Sequence, residues 1–254
     1  MNDSPPTAPT TPLPPAAEGL SPVAAIVGTF SKPSETFGRL VARPTWWLPL
    51  VLGVLATAAI LLVTTPKIDM ERTIREAVEK RAERTGQTVS SDVVARQVEA
   101  VKRMQPAFLG IGIGVSAVAF FVLGAILWGA ARAMGAEARY AQLLAIWAHA
   151  SLPNLAAALV AIPVFASLAD ASVSQAQAQS LVASNVGAFL PESSPAPLRS
   201  LLGSLDVFSF ATLFLLILAF RKLPGLSKGA ATATPVVLWL VWVAGKTAWA
   251  AVFG

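Results

Sequence analysis

The sequence has no cysteine, one histidine and one tyrosine, and only 13% of its 254 residues are charged. Without cysteine there is no disulfide, no thiolate nucleophile and no cysteine-ligated metal. One histidine cannot build a histidine metal centre within a chain, so no metal or other cofactor is expected. Nothing resembles a phosphate-cradling glycine loop or a pair of catalytic carboxylates. What the chain does have is apolar: 55% of its residues are hydrophobic and its mean hydropathy is +0.64, outside the composition of a soluble domain. The bilayer is therefore its first solvent. The net charge of +5 comes from basic residues scattered at the ends of apolar runs, without an aromatic-interleaved patch. That pattern suits an anionic membrane face and not nucleic acid.

Residues 1–19 are rich in proline, threonine and alanine and read as a disordered tail. The tail lacks the basic start and apolar run of a secretory signal, so the first membrane helix is expected to act as the signal anchor. Two short helices follow. Ser21 and Pro22 start the first, with Val23, Ile26, Val27 and Phe30 on one face. Pro33 starts the second, with Phe37, Leu40 and Val41 on one side and Arg39 and Arg43 on or near the other. Both suit helices lying in the interface, or packing of the same faces against a bundle.

Five apolar segments are long enough, or nearly so, to cross a hydrocarbon layer about 30 Å thick. They are residues 46–65, 107–131, 141–166, 201–220 and 235–253. Trp46 and Trp47 suit the aromatic belt at the first, and Pro153 and Pro163 predict a kink in the third. The uninterrupted part of the fourth, from Val207 to Phe220, is only about 21 Å long, so it is expected to extend back through Leu201. The fifth is expected to start at Pro235, capped by Thr234. Residues 66–106 read as a helical hairpin outside the bilayer, ended by Pro106. Met70, Ile74 and Val78 form one stripe and Val94, Val98 and Val101 the answering one, to pack on each other or on a partner. Residues 168–205 read as a short surface helix or a loop. The fold class is thus an all-α, polytopic membrane bundle.

Basic residues in short loops set orientation. Lys32, Arg39 and Arg43, then Arg132 and Arg139, then Arg221, Lys222 and Lys228 all fall on one side, which makes the N-terminus cytoplasmic and the C-terminus external.

Polar side chains inside spans are costly and point to function. Counted from the cytoplasmic ends, Lys246 stands about 16 Å up the fifth span, Asp206 about 21 Å up the fourth and Asn154 about 20 Å up the third. A cluster of Asp206 with Lys246, oriented by Asn154 and joined by His149, is one reading. In the other, Asp206 caps its helix and Lys246 snorkels to the interface. Trp239, Trp242 and Trp249 share a helix face with Lys246, which can stack on Trp242. Gly110 and Gly114 form a small-xxx-small pair, backed by Gly112, Ala117 and Gly124, for helix contact within the chain or between copies. Gly114, Val115 and Ser116, with His149 as base, suggest an intramembrane serine protease, but Ala117 stands where a second glycine is needed. No catalytic residue is assigned.

The order Ser31 to Pro33, Phe37, Arg43 and Pro44, then Trp46, Trp47, Leu48, Pro49 and Leu50, resembles the opening of bacterial members of the Ypt/Rab-interacting-protein (YIP) family. Tyr140, the stretch Gly203 to Phe208 and Lys246 also resemble that family. The resemblance covers residues 20–253 and implies a five-span bundle of the bacterial inner membrane with a cytoplasmic N-terminus. Eukaryotic members are linked to Rab GTPases and trafficking, but no Asp-Leu-Tyr-Gly-Pro stretch is present here. The expected function is a non-enzymatic membrane scaffold or adaptor, with the lipid bilayer and a protein partner or second copy as partners. The alternative is a small transporter or permeation subunit using the midplane polar residues.

Overall fold

The structure, a computed structural model, describes residues 19–86, 90–173, 178, 182–191 and 193–253. The expected tail, apart from Gly19, lies outside the described residues. The described residues are helical, with two isolated bridges in place of a sheet. In chain order the helices are α1 (Pro22–Ser31), α2 (Pro33–Ala42), α3 (Trp47–Thr64), α4 (Met70–Thr85), α5 (Ser91–Ala133), α6 (Tyr140–Ala150), α7 (Leu152–Ala166), α8 (Ala196–Leu202), α9 (Val207–Phe220) and α10 (Lys228–Phe253).

α1 and α2 fold back on each other at Lys32. Gly28 sits so close to Thr36 that a Cβ there would collide with the hydroxyl, and Gly19 returns beside Arg43. Ser21 caps α1 by accepting from the Ala24 amide at 3.2 Å, and Pro22 and Pro33 occupy first-turn positions where no amide hydrogen is needed. The two apolar faces have different fates. Phe37, Leu40 and Val41 of α2 are buried against α6 and α9, whereas Val23, Val27 and Phe30 of α1 stay exposed.

The hairpin folds onto itself. Asp69 caps α4 by accepting from the Arg72 amide at 3.0 Å, and Gly86 ends it in the left-handed conformation, φ +66°. Val94 and Val98 are buried against α4. Glu71–Arg75 and Arg72–Glu76 pair along its surface at 2.9 and 2.8 Å.

Three expected boundaries are corrected. Pro106 does not end the hairpin: α5 runs unbroken from Ser91 to Ala133. Proline removes only the bond to the Lys102 carbonyl, and Lys102 is exposed, where solvent or headgroups can meet that oxygen. The last helix starts at Lys228, not Pro235, and Thr234 donates to the Ala230 carbonyl at 2.8 Å instead of capping. The fourth apolar helix does not extend back through Leu201. Residues 196–202 form the separate α8, and Asp206 adopts an extended conformation, φ −117° and ψ 137°, that starts α9 afresh.

The expected kink in the third span falls at Ser151, just ahead of Pro153, while Pro163 is carried inside α7. Four helical stretches are long and apolar enough to cross a membrane: Trp47–Lys67, Ser91–Ala133, Tyr140–Ala166 and Lys228–Phe253. α9, with 14 residues, is a shorter apolar helix.

The largest core lies at the end where the basic loops gather. There Ala25, Phe37 and Leu40 meet Leu143 and Ile146 of α6, Ala219 and Phe220 of α9 and Leu127 of α5. Gln142 ties three segments together: its side chain accepts from the Arg139 amide at 2.7 Å and donates to the Val41 carbonyl at 2.7 Å. At the opposite end, Lys67 pairs with Asp170 at 2.8 Å, and the Asp69 amide donates to the Val173 carbonyl at 2.8 Å, tying the ends of α3 and α7.

Candidate intramembrane polar sites

Asp206 is a helix cap. One carboxylate oxygen accepts from the Phe208 and Ser209 amides at 2.9 and 3.0 Å, and the other accepts from the Ser184 hydroxyl at 2.5 Å. The backbone on either side of Ser184 and Asp206 is paired, with the Val207 amide donating to the Ser184 carbonyl at 3.1 Å and the Val186 amide to the Leu205 carbonyl at 3.2 Å. Ser184 was not singled out by sequence reasoning. Its only signal is a polar residue in an apolar chain, 22 positions from its partner.

Lys246 lies 18 residues into α10, about 27 Å along the helix and not the 16 Å counted from Pro235. α10 packs on α8 and α9, and Lys246 is partly buried on it. Among the described residues no direct ion pair joins Lys246 to Asp206. Trp242 is 66% exposed and Trp249 67%, and Trp249 stacks on Phe253 with centroids 4.3 Å apart. Trp239 meets Phe210 across the α9–α10 contact, centroids 5.7 Å apart.

His149 and Asn154 do not join this pair. His149 is fully buried; its Nδ1 donates to the Ala145 carbonyl at 3.0 Å, and its Nε2 has no partner among the described residues. Ser116 donates to the Ile113 carbonyl of its own helix at 2.7 Å, so nothing couples it to His149. Asn154 lines a different place, a cleft of about 290 Å³ between α3 and the α6–α7 break, with Gly53, Ala56, Thr57, Ser151 and Leu155. Around the described backbone, a Cβ on Gly110 or Gly114 would have nothing within 4 Å. The close approaches are made by the glycines expected to back that pair: Gly112 against Leu61, and Gly124 against Leu144. No three histidine, aspartate or glutamate side chains gather as a metal site among the described residues.

Long apolar helices joined by short basic turns, with most charge at helix ends and in the α4–α5 hairpin, define a multi-pass integral membrane protein. The Yip1 domain matches residues 27–249, nearly the whole described bundle. The chain belongs to the Yip1-domain family. No curated protein and no solved structure matches it significantly.

Proposed function

We propose that this chain is a non-enzymatic membrane scaffold or adaptor of the YIP type, with five crossings and a cytoplasmic N-terminus. The fifth crossing is supported by connectivity. Asp170 is held at the hairpin end by Lys67, whereas the Glu137 amide donates to the Pro224 carbonyl at the basic end, 2.9 Å away. Between them the chain passes from one end of the bundle to the other, and α9 supplies the apolar helix for that passage.

The observation that carries the adaptor reading is the length of α5. Its 43 residues extend about 65 Å, roughly twice the hydrocarbon thickness, and membrane crossing alone does not call for the excess. It holds α4 clear of the lipid, turns its apolar stripe inward and presents charged surface outward. The test is affinity purification in mild detergent from the native host. A stoichiometric partner retained by the wild type and lost from Glu71→Lys/Glu99→Lys, with unfolding temperature unchanged, supports the reading; equal retention overturns it.

The alternative, a transporter or permeation subunit, is favoured by one observation, the placement of an aspartate and a lysine, Asp206 and Lys246, on neighbouring apolar helices that pack on each other. Solute or proton flux in reconstituted vesicles, abolished by Asp206→Asn, supports this second reading against the first.

A further inference from the structure

We propose that Asn154 and the cleft beside it form the contact between two copies of this chain. Asn154 is the third residue of α7, after Leu152 and Pro153. The break at Ser151 lets the chain change direction there, and the Asn154 amide N–H donates to the Ser151 carbonyl at 3.0 Å. The other polar side chains of the cleft are satisfied within their own helices. Thr57 donates to the Gly53 carbonyl at 2.9 Å and Ser151 to the Ala148 carbonyl at 3.2 Å. The Asn154 carboxamide is exposed and makes no hydrogen bond to any described residue. It belongs to a 27-residue apolar stretch long and apolar enough to cross a membrane, and within a bilayer no bulk water satisfies such a group.

A carboxamide carries donor and acceptor side by side, so two of them pair reciprocally. A two-fold axis along the membrane normal brings the same residue of two chains face to face. A lipid tail offers neither donor nor acceptor, which favours a second copy as the occupant. The cleft floor allows close approach: Gly53, Ala56, Ala148 and Ala158 place nothing larger than a methyl group there, and a Cβ on Gly53 would meet nothing within 4 Å.

Because the chain has no cysteine, Asn154→Cys creates a sole thiol, and Val115→Cys on exposed α5 serves as control. Both are reconstituted full length in phospholipid vesicles. Mild oxidation is expected to cross-link the Asn154→Cys chain as a dimer and to leave the control monomeric. Fluorescence energy transfer between labelled copies, followed on dilution with lipid, is expected to give a dimer about tenfold weaker for Asn154→Leu and near wild type for Asn154→Gln. The proposal is overturned by a monomeric wild type, by cross-linking at position 115 in place of 154, or by undiminished association of Asn154→Leu. A monomer that retains phospholipid through purification and loses it in Asn154→Leu also overturns it, and makes the cleft a lipid site.

Discussion

The two ends of this bundle are held together differently. At the basic end, α6 is buried along nearly its whole length: Leu143, Ala145, Ile146, His149 and Ala150 are all inaccessible. In the apolar parts of α3, α5 and α10 only 6% of residues are buried against protein, compared with 50% for Tyr140–Ala166. Lipid tails are as apolar as leucine, so helices inside the bilayer gain little by hiding apolar surface from lipid. α6, itself part of a stretch long and apolar enough to cross, is buried because α1, α2, α5 and α9 pack around it. The comparison therefore assigns cohesion to the α1–α2 hairpin, α6 and the end of α9.

The sharpest way to break that assignment is a pair of matched truncations. Phe37 is fully buried in the basic-end core, while Phe214 is 59% exposed along α9. Phe37→Ala removes a ring from a packed interior and is expected to cost about 3–5 kcal/mol. Phe214→Ala is expected to cost about 0.5 kcal/mol or less. Unfolding in mixed micelles, followed by tryptophan fluorescence, measures both; equal losses would dissolve the distinction between the two ends.

A smaller effect tests whether polar bonds share in the same cohesion. Gln142→Leu keeps most of the volume but leaves the Val41 carbonyl and the Arg139 amide without their partner. The expected loss is about 1–3 kcal/mol, with the α2–α6 contact loosening first. Hydrogen exchange that stays protected around Val41 in this variant would show that apolar packing alone holds α2 in place.

Much of this was legible in the sequence because the signals are local. Ser21 with Pro22 starts α1, and Pro153 marks the break in the third span, each through the chemistry of one or two residues. What was illegible depends on partners far along the chain. Pro106 looks like a stop from its own chemistry, yet α5 passes through it because the cost is one exposed carbonyl. Gly110, Gly112, Gly114 and Gly124 all read as packing glycines, but only Gly112 and Gly124 meet neighbours, because the side of α5 that faces α3 and α6 is fixed by tertiary contacts. Asn154 was grouped with Asp206 and Lys246 by depth alone. Depth sets a height in the membrane and not a side of the helix, and Asn154 faces α3.

The smallest expected effects concern Asp206, where two roles overlap. As a cap it accepts two first-turn amides, so Asp206→Ala is expected to cost about 1 kcal/mol, while Asp206→Asn keeps an acceptor and costs less. As a charge it can attract Lys246, and only this second role couples the two residues. Lys246→Met should therefore destabilise the protein less when Asp206 is already asparagine. The four chains of that cycle, unfolded under one condition, separate the roles. Effects that add within about 0.3 kcal/mol would leave Asp206 as a cap alone. Measurable coupling would make this pair a polar tie between helices in the loosely packed membrane region, against the contrast drawn between the two ends.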